Sequence, residues 1–203
     1  MMGLGQNGAD GTIRQSQPTD GPIVGTTQII DVTITYLEMT APPSAPPPPP
    51  PAIAHAVMRA QKPTVSFYRY LYHTIGADYV WWERRALSDE ELHTIISAEN
   101  VEVFVLYVEG VPAGYYELVT DAANDEIDIG YFGLLPEFVG RRLGAYLLRG
   151  AIDEAWSRRP GRLTVNTCTL DHPNALPNYQ RAGFTPYEQE TIEIVDPHKA
   201  GYF

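Results

Sequence analysis

The stretch Gly140-Arg-Arg-Leu-Gly-Ala145 is where this 203-residue chain most plainly offers chemistry. It follows a strand-like segment that ends at Pro136 and opens the amphipathic run Leu143–Trp156. At such a helix start the backbone N–H groups are unpaired and lie at the positive end of the dipole, which suits a pyrophosphate. Glycines let the backbone come close, and Arg141 and Arg142 add positive charge in a protein of formal net charge −11. Taken alone, the loop reads equally well as an ordinary strand–loop–helix connection with a surface arginine pair. It is neither a Gly-Lys-Ser/Thr phosphate loop nor a Gly-x-Gly-x-x-Gly dinucleotide turn.

Other reactive groups are fewer. Cys168, Asp171 and His172 lie close together and suggest a thiol nucleophile with a base, but Cys168 falls in an apolar strand, where cysteine acts as a small hydrophobe. With one cysteine no disulfide can form within the chain. His55, His73, His93 and His198 show no metal spacing, so no metal is expected. No Gly-x-Ser-x-Gly elbow occurs. The aromatics Tyr68, Tyr70, Tyr72, Tyr79, Trp81 and Trp82, followed by Glu83-Arg84-Arg85, could cradle a cation or simply build core.

These residues need elements to position them. Ile30, Val32, Ile34 and Tyr36 alternate with polar residues, which predicts a half-buried strand over 29–38. One strand is not stable alone, so it is expected to join the sheet of the later domain. The run ending in six prolines, Pro46 to Pro51, predicts a semi-rigid spacer, and also offers a docking peptide for a proline-recognising module. Beyond it the pattern predicts helices over 63–75 and from the capping box Ser88-Asp-Glu-Glu91, then a hairpin of 101–108 and 112–119. A strand over 126–135, a helix over 143–156, a strand over 163–169, a short helix over 173–182 and a strand over 186–195 complete the order. The expected fold class is α/β, a mixed sheet with helices on its faces. The expected organisation is a disordered tail over 1–26, a first strand at 27–40, a proline-rich linker at 41–62 and a core at 63–203.

Composition narrows the partners. No apolar run reaches the roughly 18 residues of a membrane helix, and the first residues carry neither a basic nor an apolar stretch, so a cytoplasmic protein is expected. The acidity disfavours nucleic acid and anionic lipid.

Joined to Asn166-Thr-Cys-Thr-Leu-Asp-His-Pro-Asn-Ala-Leu-Pro-Asn-Tyr-Gln-Arg-Ala-Gly-Phe184, the loop resembles the GCN5-related N-acetyltransferase (GNAT) family over roughly residues 63–195. That family carries an Arg/Gln-x-x-Gly-x-Gly/Ala loop and, one strand later, a helix ending in Tyr-x-x-x-Gly-Phe. Ala175, Tyr179, Gly183 and Phe184 match the second signature, and Gly144 the last position of the first. Val139 and Arg142 stand where the family usually has Arg/Gln and Gly, and His172 where an asparagine often contacts the cofactor. An arginine at 142 restricts the backbone but brings a side chain able to grip a phosphate.

The resemblance implies a mostly antiparallel twisted sheet flanked by helices, acetyl-CoA as co-substrate, and an amine acceptor in a monomer or homodimer. It implies that backbone groups of Phe132, Gly133, Leu134 and Leu135 hold the pantetheine arm. The pyrophosphate would rest on Val139, Gly140, Arg141, Arg142, Leu143, Gly144 and Ala145, with His172 and Asn174 alongside. Asp128 aligns with the family's general base, and Glu117 and Glu126 are rivals. Tyr179 takes the general-acid position, or packs behind the sulfur. Acceptor selection falls to the early helices and their linker, here Tyr68, Tyr72, Trp81, Trp82 and Glu83. A non-catalytic acyl-CoA-binding sensor on the same fold is the alternative.

Overall fold

The computed structural model describes residues 28–203; the tail expected over 1–26 lies outside them. Seven strands form one sheet: β1 (Ile29–Met39), β2 (His55–Ala60), β3 (Val101–Val108), β4 (Val111–Asp121), β5 (Glu126–Leu134), β6 (Arg162–Cys168) and β7 (Thr185–Val195). Their spatial order is β2-β3-β4-β5-β6-β1-β7. Every pairing is antiparallel except β5 with β6. Four helices accompany it: α1 (Val65–Gly76), α2 (Asp89–Ile96), α3 (Leu143–Trp156) and α4 (Ala175–Ala182). This is the mixed α/β architecture that the pattern of periods predicts.

Local chemistry sets the boundaries. Thr64 caps α1 by accepting from Phe67 N–H. Ser88 and Glu91 form the reciprocal capping box at α2, at 3.2 and 2.8 Å. Gly183 ends α4 at φ 108°, a left-handed conformation that glycine takes without strain.

Two features differ from the expected order or add to it. His55–Ala60, within the segment read as spacer, is the strand β2, paired along β3. It is an edge strand with Met58 58% exposed. An edge strand needs little apolar patterning, which is why alternation did not reveal it. And β1 lies in the later sheet, one place in from its edge, between β6 and β7 and bonded to both. The proline-rich strap then returns the chain across α3, where Arg149 Nη1 donates to Ala45 O at 2.7 Å.

The main core lies between sheet and helices, with Leu71 and Ile75 of α1 and Leu147, Ala151 and Ile152 of α3 each under 2% exposed. The two helical layers use opposite faces. A Cβ at Gly133 would meet Ile75 of α1 at 2.4 Å, whereas one at Gly114 would meet Leu147 of α3 at 3.1 Å. Side-chain alternation along β4 and β5 therefore sorts residues between an α1/α2 face and an α3/α4 face.

Candidate active site

β5 and β6 pair only at Glu126–Asp128 against Arg162–Thr164 and then part. Leu135 N–H donates to Ala113 O at 2.9 Å. Alternate residues of an antiparallel ladder address the same neighbour, so Gly133 also turns its backbone groups toward β4. Those of Phe132 and Leu134 face the opening left by β6. After β5 the chain passes a turn at Pro136–Phe138 and enters α3 through Gly140 (φ 81°) and Arg142 (φ 62°). No side chain caps α3, and its first turn holds no acidic residue. Its leading N–H groups thus present a positive end with no protein anion upon it.

A groove of about 440 Å³ runs from this end along the parted strands, lined by Phe132, Leu134, Gly140, Gly144, His172 and Tyr179. His172 Nδ1 accepts from Asn174 N–H at 3.0 Å, and its ring stands edge-on to Tyr79. Asp171 Oδ2 accepts from Thr167 Oγ1 and Cys168 N–H, at 2.8 and 3.0 Å. Tyr179 is 3% exposed and wedged edge-on between Phe132 and Phe184. Burial, with the charges of Asp171 and Asp128, holds its phenol well above the usual 10.

On the α1/α2 face, where β5 and β6 begin to part, lies a second, polar cavity of about 480 Å³. Glu117, fully buried, accepts from Tyr68 OH at 2.7 Å and from Arg84 Nη2 at 2.6 Å. Asp128 Oδ1 accepts from Thr164 Oγ1 at 2.9 Å, and Thr164 also reaches Glu126 at 3.1 Å. Loss of water around it pushes Asp128 up to about 7, with Glu126 and Glu117 adding to the rise and Thr164 opposing it. A Cβ at Gly130 would sit 3.6 Å from Glu117 Oε1 and 3.8 Å from Asp128 Oδ2. The bare glycine keeps open the space between the two carboxylates.

Residues 60–184 match the model of the Acetyltransferase (GNAT) family. The chain belongs to that family. Among solved structures it is similar to a GCN5-related N-acetyltransferase from Sphaerobacter thermophilus, at 17% identity and TM-score 0.56, covering 81% of this chain and 52% of that one. It is also similar to the ribosomal-protein-S18-alanine N-acetyltransferase from Escherichia coli, at 15% identity and TM-score 0.55, covering 70% and 94%. A GCN5-related N-acetyltransferase from Kribbella flavida gives 17% identity and TM-score 0.51, covering 85% and 62%. Three of the solved structures it resembles, the Sphaerobacter thermophilus protein among them, are longer chains, of which this one spans 63%, 54% and 52%. Nothing among curated proteins matches it.

Within this GNAT fold the sequence-predicted residues fall into distinct places. Val139, Gly140, Arg142, Gly144, Ala145, His172, Asn174 and Tyr179 line the groove together. Arg141 lies beside it, its guanidinium 5.1 Å over the Phe138 ring. Leu143 is buried, so it can contribute only backbone. Leu135 turns its N–H to Ala113 and is not free to hold a ligand. Tyr68 and Tyr72 are 1% exposed and line neither cavity; they support Glu117 and Glu83 from within the core. Trp81 closes the groove wall above Gly133. Trp82 stacks on Tyr202 at 5.5 Å, and burial raises the Glu83 pKa. Burial and Asp171 raise the Cys168 thiol above its usual range, which opposes a thiolate nucleophile. Among the described residues no group of side chains could hold a metal ion, and no helix is long and apolar enough to cross a membrane. Sequence reasoning gave Thr164 and Asn166 of the polar cavity no site role, and named Arg84 only within the cluster Glu83-Arg84-Arg85. The one signal available was polar residues at alternate positions of the otherwise apolar strand Leu163-Thr-Val-Asn166.

Proposed function

We propose that the protein transfers an acetyl group from acetyl-CoA to a primary amine by direct attack within a ternary complex. The observation that carries this reading is the parting of β5 from β6, with an uncapped helix N-terminus on one face and an acidic cavity on the other. Acetyl-CoA supplies an acyl thioester. The α3 N–H groups, with Arg141 and Arg142, suit its pyrophosphate, and the inward-facing backbone of Phe132 and Leu134 suits its pantetheine amides.

Asp128 is the base. An ordinary amine holds its proton with a pKa near 10.4, so handing it to a carboxylate at about 7 costs roughly 5 kcal/mol, against about 9 for an aspartate at 3.8. Glu117 is the weaker candidate, since it commits one oxygen to Arg84 and the other to Tyr68. Tyr179 serves the sulfur end. A phenol held well above 10 yields its proton to a thiolate near 8.5 only at a cost above about 2 kcal/mol, so it acts by donating a hydrogen bond.

The test is thiol release from acetyl-CoA across polyamines, amino acids, aminoglycosides and peptides. Turnover with at least one amine is expected. Calorimetric binding of CoA with no turnover of any amine would replace the enzyme with a non-catalytic acyl-CoA sensor.

A further inference from the structure

The polar cavity carries more information than an acidic lining. Its side chains include Glu117, Asp121, Glu126 and Asp128 against the single cation Arg84, which is itself committed to Glu117. Arg162 neutralises Glu126 from outside the lining. Asp121 spends its oxygens on the N–H groups of Ala123 and Asn124 and on the Asn124 side chain. Asp128 Oδ2 remains as the carboxylate oxygen facing the void at Gly130. The field in the cavity therefore attracts a cation and opposes a second anion.

Two residues of this lining carry a buried polar atom without a hydrogen-bond partner: Asn166 at Oδ1 and Arg84 at Nη1. Asn166 is 4% exposed and lies two residues beyond Thr164, on the same side of β6 and just past the point where β5 parts from it. An orphaned acceptor and an orphaned donor are costly unless a ligand completes them. Their types describe that ligand. Asn166 Oδ1 takes an N–H, Asp128 takes a second N–H of the same nitrogen, and Arg84 Nη1 gives a hydrogen bond to an oxygen.

We infer that the acceptor is a small cationic primary amine with a neutral oxygen nearby, a hydroxyl or an amide carbonyl, and that Asn166 positions its nitrogen. The oxygen is neutral because a carboxylate there would meet Arg84 already paired and face the uncompensated charge of Asp128. A primary ammonium brings three N–H groups to these two acceptors and a secondary one only two, so the pair favours primary amines. This inference rests on the proposed acetyl transfer and narrows its substrate.

The experiment compares matched acceptors on the full-length protein: alaninamide against alanine, and ethanolamine against glycine, with N-methylethanolamine as the secondary amine. The amide and the amino alcohol are expected to exceed their carboxylate partners by about tenfold or more in kcat/KM, the penalty of leaving a charge poorly paired. N166L is expected to raise the acceptor KM about tenfold while leaving the CoA dissociation constant within twofold and the melting temperature unchanged. N166D, which retains an acceptor oxygen, restores most of the lost KM. Turnover that favours the carboxylates, or an N166L enzyme with unaltered acceptor KM, overturns the inference and leaves the acetyltransferase standing. Silence toward every amine overturns both.

Discussion

Ionising Asp128 places a charge where burial has already removed its water, beside Glu126 and Glu117, and the single hydroxyl of Thr164 offsets only part of that cost. Its native pKa of about 7 exceeds the 3.8 of a free side chain, so the native state holds the proton more tightly. Stability therefore falls as pH rises from about 4 to about 7, and the cost is complete above about 7. Asp128→Asn keeps the acceptor for Thr164 and removes the charge. At pH 8 chemical denaturation is expected to show a gain on the order of 1–3 kcal/mol, a gain that vanishes near pH 4. The same substitution is expected to lower kcat/KM by about 10²- to 10⁴-fold and erase a rising limb centred near pH 7. An unchanged pH profile would remove Asp128 from the chemistry. For Tyr179→Phe a smaller loss of about 10- to 100-fold in kcat is expected, with the CoA dissociation constant preserved, because a hydrogen bond is lost and the packing against Phe132 and Phe184 stays.

At the scale of elements, the decisive unit is β5–turn–α3. Its geometry depends on two left-handed residues, and one of them is an arginine. A non-glycine residue in that conformation costs about 1 kcal/mol, a strain that persists at functional sites when the surroundings enforce it. Arg142→Gly is expected to relieve this strain, leaving the melting temperature equal or higher, while CoA binding measured by calorimetry weakens several-fold for want of the guanidinium. Tighter CoA binding in that variant would show that the side chain obstructs the groove. Much of this unit was legible in the sequence: Gly140, Gly144 and the 143–156 periodicity announce a loop entering a helix. The orientation of the backbone was not, since whether Leu134 or Leu135 faces the opening depends on register with β4, where their partners Gly114 and Ala113 lie 20 and 22 residues away.

Across the whole molecule, β1 has a structural weight that its distance along the chain conceals. It bonds β6 on one side and β7 on the other, and Val32 and Ile34, both 0% exposed, anchor a second apolar cluster with Ile192 and Ile194. The family match begins only at residue 60, yet a core cut there would lose a strand from within its sheet. Deleting residues 1–40 is expected to abolish cooperative thermal unfolding followed by circular dichroism; a sharp melt in the shortened chain would show β1 to be dispensable. Acetyl-CoA at a hundred times its dissociation constant is expected to stabilise the intact protein by about 2.7 kcal/mol through binding linkage. Beyond the Tyr179 signature, which rests on the family resemblance, the sequence by itself determined what is local: helix starts and stops, strand alternation, the loop entering α3 and the capping box at Ser88. These follow from periodicity and from groups within a few residues of one another. Only the tertiary structure decided that β1 fills the place between β6 and β7, that Arg84 locks Glu117, and that Asp128, Gly130 and Asn166 share one cavity. Strand order and the titration of a buried carboxylate are set by neighbours distant along the chain, and no window of residues contains them.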